Sequence, residues 1–245
     1  VAIRDTFAPT VSDVELVDIT HRAENDFVGA PTGVLDQSAS ILCTAGHALF
    51  LDAATGAHTQ VPFDLAAAGL ELVVIDTGTP HNHATSEYAT RRRQCEAAAR
   101  TLGVHSLGAI TETGAVDALA DPVLRARARH VVTEDARVRE VVTLLRAGDD
   151  PRAIGPILTR GHVSLRDDFA VSTPQLDAAV AASCGAGAYG ARMTGGGFGG
   201  SVIALADTGS SSRIGEVVTQ RFSIAGWTPP QVFVVAPSDG ARRVR

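Results

Sequence analysis

Apolar residues recur along this chain at helical spacing in several stretches and crowd together in a few short ones. Val14, Leu16, Val17 and Ala23 predict a helix over 14–25, with Ser12 or Asp13 as its cap. Gly29, Pro31 and Gly33 break it. Leu35, Ala39, Ile41 and Leu42 then predict a helix from Val34 to about Gly46, which places Asp36 and Gln37 in its first turn. The short apolar runs 47–52 and 70–76, the second rich in β-branched residues, predict strands. Ser86 is expected to cap a long helix that runs through Leu102.

Farther along, 123–146 and 153–169 carry helical patterns separated by Asp149, Asp150 and Pro151. Thr173 and Pro174 form an N-cap followed by an N1 proline and open a helix to about Cys184. The glycine-rich stretch 185–200 leads into a strand at 201–206, a helix at 212–225 and a strand at 231–236. Helices gathered before a strand–helix–strand tail predict an α+β fold, with helices on one face of an antiparallel sheet. A boundary is expected near the turn at 77–80, leaving a first segment without a complete core of its own.

Composition narrows the function classes. The chain has 245 residues, 45% of them hydrophobic, and a mean hydropathy of +0.13. It is therefore a folding chain, not a disordered one. No window approaches the run of about 20 apolar residues that a spanning helix needs, and 1–10 lack a signal-peptide pattern. A cytoplasmic location is expected. The net charge is −6 and all 21 basic residues are Arg, so a nucleic-acid surface is disfavoured and single arginines carry little information. The run Arg91-Arg92-Arg93 reads as a solvated helix face or as a phosphate clamp. Cys43, Cys95 and Cys184 are odd in number and form no C-x-x-C pair, which argues for free thiols.

Three features carry candidate chemistry. Thr194-Gly195-Gly196-Gly197-Phe198-Gly199-Gly200, just before a β-rich run, permits close backbone approach and anion binding by main-chain N–H groups. It is neither a Walker A loop nor a dinucleotide fingerprint, and a tight turn between packed strands remains the other reading. Glu24 precedes Asp36 by twelve positions across a Gly/Pro turn. A carboxylate in a helix first turn is stabilised as an anion, so one acid suits a hydroxyl acceptor and the other a divalent cation; an ordinary helix start is the alternative. His81-Asn82-His83 has metal-pair spacing but no third ligand, and also fits a polar turn. His130 and His162 fall in helical patterns and read as packed or capping groups, and Tyr88 reads either as a half-buried packing group or as one whose hydroxyl bonds a polar ligand.

Taken in order, Arg22-Ala-Glu-Asn-Asp-Phe-Val-Gly29, Gly33-Val-Leu-Asp-Gln37, Gly46-His-Ala-Leu49, Ser86-Glu-Tyr88 with Cys95-Glu96, His130-Val-Val-Thr-Glu134 and Ala191-Arg-Met-Thr-Gly-Gly-Gly-Phe-Gly-Gly200 resemble the galactokinases of the GHMP kinase family. The resemblance implies a remnant of the family's N-terminal domain over 1–80 and a C-terminal domain over 81–245. It implies transfer of the ATP γ-phosphoryl to the anomeric hydroxyl of galactose with Mg²⁺. Asp36 then matches the catalytic aspartate, Glu24 the magnesium ligand, Gly33 and Tyr88 sugar contacts, and Gly195, Gly196 and Gly197 the third motif beneath the phosphates. The upstream motif with the Arg partner of the aspartate, and the Gly-Leu-Ser-Ser-Ser phosphate loop, are not in this sequence. The chain therefore resembles a carboxyl-terminal part, expected to have little or no activity alone and to be prone to association or partial disorder. A non-catalytic sugar and nucleotide sensor and another small-molecule kinase of the same family are the alternatives.

Overall fold

A computed structural model describes all residues except 30, 31, 54, 80–83, 244 and 245, and the side chains of 84–86 also lie outside it. The His81-Asn82-His83 motif and Pro31 therefore fall outside the described residues. The chain divides into two compact units, Val1–Asp64 with Ala236–Arg245, and Leu65–Val235. This division differs from the expected one near 77–80. The strand at 70–76 pairs entirely within the second unit, and the end of the chain returns to the first.

The first unit begins with helices α1 (Ala2–Phe7) and α2 (Asp13–Arg22). Ser12 caps α2 as expected: its hydroxyl accepts from Glu15 N–H at 3.2 Å while the Glu15 carboxylate accepts from Ser12 N–H at 2.8 Å. The helix does not run unbroken to Asn25, because the backbone widens into a π-helical turn, Ala23–Val28, that ends on the left-handed Gly29. Helix α3 (Leu35–Leu42) stops short of Gly46. Strands β1 (His47–Leu51) and β2 (His58–Pro62) form an antiparallel hairpin in which Leu49 faces Gln60. The tail is stitched to α3 by Gly240 N–H donating to Cys43 O and Ala241 N–H to Ser40 O, both at 2.7 Å. Among the described residues of this unit only Val17 and Val61 are buried hydrophobics, whereas Ile3, Phe7, Phe27, Val28 and Leu35 are exposed.

The second unit is built on one antiparallel sheet with the order β4 (Gly190–Met193), β5 (Ser201–Asp207), β3 (Leu70–Asp76) and β6 (Gln231–Val235). Register pairs Val73 with Ala204 and with Val234, and Ala191 with Ala204. Alternation places Val73, Ile75, Val202, Ala204 and Ala206 on one buried face, where they join Leu176, Ile214, Val218 and Phe222 of α8 (Pro174–Gly185) and α9 (Ser211–Ala225). A second cluster joins Ala98, Leu107, Val116, Ala128 and Val132, around α4 (Ala84–Thr101), α5 (Gly114–Asp117) and α6 (Pro122–Ala147). Helix α4 starts before Ser86, so that residue lies inside the helix and is not its cap.

The stretch expected as one helix over 153–169 is three pieces: a 3₁₀ turn, Pro151–Ala153, helix α7 (Ile154–Ser164) and a π-helical turn, Leu165–Phe169, that ends at left-handed Ala170. Helix α7 lies directly on β4. A Cβ placed on Gly190 would sit 1.8 Å from Gly155 O, so this backbone-to-backbone contact admits no side chain. The contact fixes the start of β4, whose other end, Met193, leads into the glycine loop.

Candidate functional site

The acidic segment lies in the first unit, and one side chain ties it together. Gln37, in the first turn of α3, donates its amide to a Glu24 carboxylate oxygen on the π-helical turn. Asn25 steadies the connection, donating to His21 O at 3.2 Å and Thr32 Oγ at 3.4 Å, and the His21 ring contacts Thr32 O at 3.3 Å. The wider π turn is what lets Glu24 reach back toward α3. Asp36, next to Gln37, is exposed and lines an open cleft of about 350 Å³ with Leu16, Thr20, Gln37 and Ile41. Gln37 Oε1 is a buried acceptor without a hydrogen-bond partner. Gly33 is exposed, with open space where a side chain would stand.

Two expected site residues thus come to one place, Glu24 through Gln37 and Asp36 beside it. In the sequence Gln37 stands out only as part of a motif; its role as a tie depends on the turn geometry. Among the described residues no group of three His, Cys, Asp or Glu could hold a metal. Mg²⁺ on a nucleotide, however, commonly takes one or two protein carboxylates and completes its shell with water and phosphate oxygens. Glu24, half-buried and oriented by Gln37, offers one such carboxylate and so fits that mode.

The glycine loop lies in the second unit and joins β4 to β5. Thr194 N–H donates to Ser201 O at 3.0 Å across its neck, and Thr77 at the end of β3 donates its N–H and hydroxyl to Gly200 O at 3.1 and 2.7 Å. The loop is therefore both a tight strand connection and an exposed glycine surface. Gly195 and Gly196 are exposed, whereas Gly197 is buried with φ +86, and a Cβ there would lie 2.5 Å from Val171 O. Phe198, also left-handed at φ 61, donates its N–H to Val171 O at 2.7 Å. Tyr88 packs its ring 3.5 Å from the position a Gly196 Cβ would take, so Tyr88 and the loop meet as one surface.

Arg91 belongs to neither reading made of the arginine run. Its side chain is 11% exposed, and it donates to Phe169 O at 2.7 Å and Ala170 O at 2.8 Å while lying 5.5 Å from the Phe198 ring centroid. It fixes the left-handed Ala170 turn that abuts the glycine loop. Arg92 and Arg93 are exposed, as a solvated face requires. No signal in the run distinguishes Arg91, because its partners lie about eighty positions away.

Beneath the loop, His130 and His162 are buried as expected. The Ser164 hydroxyl donates to Asp168 Oδ2 at 3.0 Å, so it accepts from His130 Nδ1–H at 3.0 Å. The His130 ring stacks on Phe169 at 4.5 Å, and burial lowers its pKa to about 4. Burial likewise lowers the pKa of His162, against the pull of Asp177. A larger open cleft of about 490 Å³, between Pro156, Thr159, Cys184 and Tyr189, contains none of the expected site residues.

Comparison with known proteins bears on both units. The family model described as GHMP kinases C terminal matches residues 141–224. A galactokinase of Streptomyces coelicolor is 47% identical over 247 residues, covering 99% of this chain and 64% of that protein. A Bos taurus galactokinase is 39% identical, covering 83% of this chain and 52% of that protein. Among solved structures, Lactococcus lactis galactokinase complexed with galactose superposes with a TM-score of 0.91 at 32% identity, covering 100% of this chain and 64% of that one. A mevalonate kinase at TM-score 0.59 and 15% identity shares the fold. The chain thus spans under two thirds of the length of these relatives. The mixed helical and antiparallel architecture read from the sequence agrees with this fold.

Proposed function

Taking as premise that the chain is homologous to galactokinases and has the GHMP-kinase fold, we propose that it supplies the acceptor-activating half of a galactokinase-type sugar kinase. The observation that carries the reading is the Gln37 tie, which sets Glu24 beside the helix turn that presents Asp36. Phosphoryl transfer asks a protein mainly for positioning and charge stabilisation, and little covalent chemistry. In this reading Asp36 receives the hydrogen bond of the galactose anomeric hydroxyl and takes its proton as the hydroxyl oxygen bonds to the γ-phosphorus. The bond from that phosphorus to the bridging oxygen breaks in the same step, and ADP carries the electron pair away.

Gly33 and Tyr88 serve as sugar contacts in this reading, while Gly195, Gly196 and Gly197 shape the backbone near the nucleotide phosphates. Glu24 holds Mg²⁺, which when bound with ATP neutralises charge on the phosphates. Galactose and ATP are thus the partners. A cytoplasmic location, where ATP is supplied, agrees with three free cysteines.

The test is galactose 1-phosphate formation by a chimera in which this chain replaces the matched 64% of the Streptomyces coelicolor galactokinase. Galactose is expected to be phosphorylated in preference to mevalonate or homoserine, and Glu24→Gln to raise the Mg²⁺ concentration for half-maximal rate several-fold. A folded chimera that leaves galactose untouched, or an unchanged Mg²⁺ requirement in Glu24→Gln, would refute it.

A further inference from the structure

The glycine loop leaves β4 at Met193, and the group that receives the Met193 amide is a histidine. His162 projects from α7 with its side chain only 3% exposed. Met193 N–H donates to its Nδ1 at 3.3 Å, and its Nε2 lies 3.1 Å from Asp177 Oδ1 on α8. The same Asp177 oxygen accepts the Ser172 hydroxyl at 2.6 Å. A backbone N–H can only donate, so Nδ1 must present its lone pair and the ring proton must sit on Nε2, facing the carboxylate. Ser172 and Asp177 thereby select one neutral tautomer, and that tautomer is the only one that can hold Met193.

From this geometry we infer that His162 is a positioning residue for the glycine loop, acting as a neutral acceptor whose orientation Asp177 and Ser172 fix. The strand it holds is anchored at the preceding residue too, where Arg192 pairs with Glu134 of α6. Arg192 also lies against α7, 3.1 Å from where a Gly161 Cβ would stand. With α6 holding Arg192 and α7 holding Met193, the direction in which Thr194 and Gly195 leave the sheet is set. A protonated ring would turn an N–H toward the Met193 N–H and release it. The charged groups around the ring are Asp177 from α8, Arg166 and Asp167 from the following π turn, and Arg192 from β4. Burial and the two arginines outweigh the aspartate and keep the ring neutral.

The link from this positioning to nucleotide affinity rests on the function proposed above; the positioning itself does not. Its test accordingly uses the 245-residue chain without ligand. Nitrogen-15 spectroscopy at pH 7.5 should find Nδ1 unprotonated and Nε2 protonated, and amide exchange should find Met193 protected. His162→Leu should speed Met193 exchange about tenfold. His162→Asn places Oδ1 where Nδ1 stood and should restore most of the protection; it remains informative if the Leu variant fails to fold. An Nδ1–H tautomer, an imidazolium at that pH, or Met193 exchange that is equal in wild type and His162→Leu would overturn the inference. If loop exchange responds as expected while ATP binding to the same variants does not change, the positioning stands and the nucleotide role of the loop falls.

Discussion

The three glycines at the tip of the loop make different demands, and alanine separates them. At Gly197 a Cβ would lie 2.5 Å from Val171 O, 2.7 Å from Val171 Cβ and 3.1 Å from Met193 Cε, on a backbone with φ +86. The left-handed conformation costs an L-residue about 1–2 kcal/mol, and overpacking a buried site about 1–3 kcal/mol more. Gly197→Ala should therefore destabilise the second unit by about 3–4 kcal/mol, or roughly 10 °C in Tm for a unit of this size. At Gly195 the φ is +78 but nothing lies within 4 Å, so Gly195→Ala should cost only the backbone strain, about 1 kcal/mol. Gly196 has an ordinary φ and meets only the Tyr88 ring at 3.5 Å, so Gly196→Ala should stay within about 0.5 kcal/mol. Urea and thermal unfolding followed by circular dichroism would measure the series. A Gly197→Ala melt within 2 °C of wild type, or a Gly196→Ala variant more damaged than Gly197→Ala, would show that the loop does not pack on Val171 as described.

Acid should weaken the fold before its carboxylates titrate. His130 is neutral in the native state down to about 4, whereas an unfolded histidine protonates near 6.5, so below about pH 6.5 the unfolded chain binds the extra proton. Stability is intact above that pH and falls as it drops, by about 3 kcal/mol for this residue at pH 4, with His162 acting in the same direction. Urea midpoints at pH 7.5, 6 and 5 should decline in order, less steeply in His130→Gln, and a flat series would contradict the burial argument. Arg91→Lys cannot keep both carbonyl bonds and the Phe198 contact and should cost about 2 kcal/mol. Arg93→Lys, on the exposed face, should stay within about 0.5 kcal/mol, and equal effects of the two would refute the buried role of Arg91.

Much of the second unit was legible because its signals are local. The crowded apolar and β-branched residues of 70–76 and 201–206 announce strands, and Thr173-Pro174 announces a helix start by capping. What escaped depended on distance or on a weak pattern. Strand β4 is four residues among glycines, and β2 reads His-Thr-Gln-Val-Pro, so neither shows apolar alternation. The π turns at 23–28 and 165–169 continue the helical apolar spacing while changing the backbone, and no residue there marks the change. Asp36 and Glu24 were found by motif, but the Gln37 tie between their turns, the Arg91 bonds to Phe169 and Ala170, and the His162 grip on Met193 arise only when remote segments meet.

The central claim is that the Asp36 carboxylate serves the acceptor hydroxyl, and one pair of variants tests it most directly. Asp26 is an exposed acid on the same segment, with no contact to Gln37 or to the cleft among those described, and serves as the control. In the chimera, kcat for galactose phosphorylation should fall about 1000-fold in Asp36→Asn, within the range for loss of a general base. KM for ATP should change little, and Asp26→Asn should match wild type. An Asp36→Asn enzyme that turns over at the wild-type rate, or an Asp26→Asn enzyme equally disabled, would contradict the account.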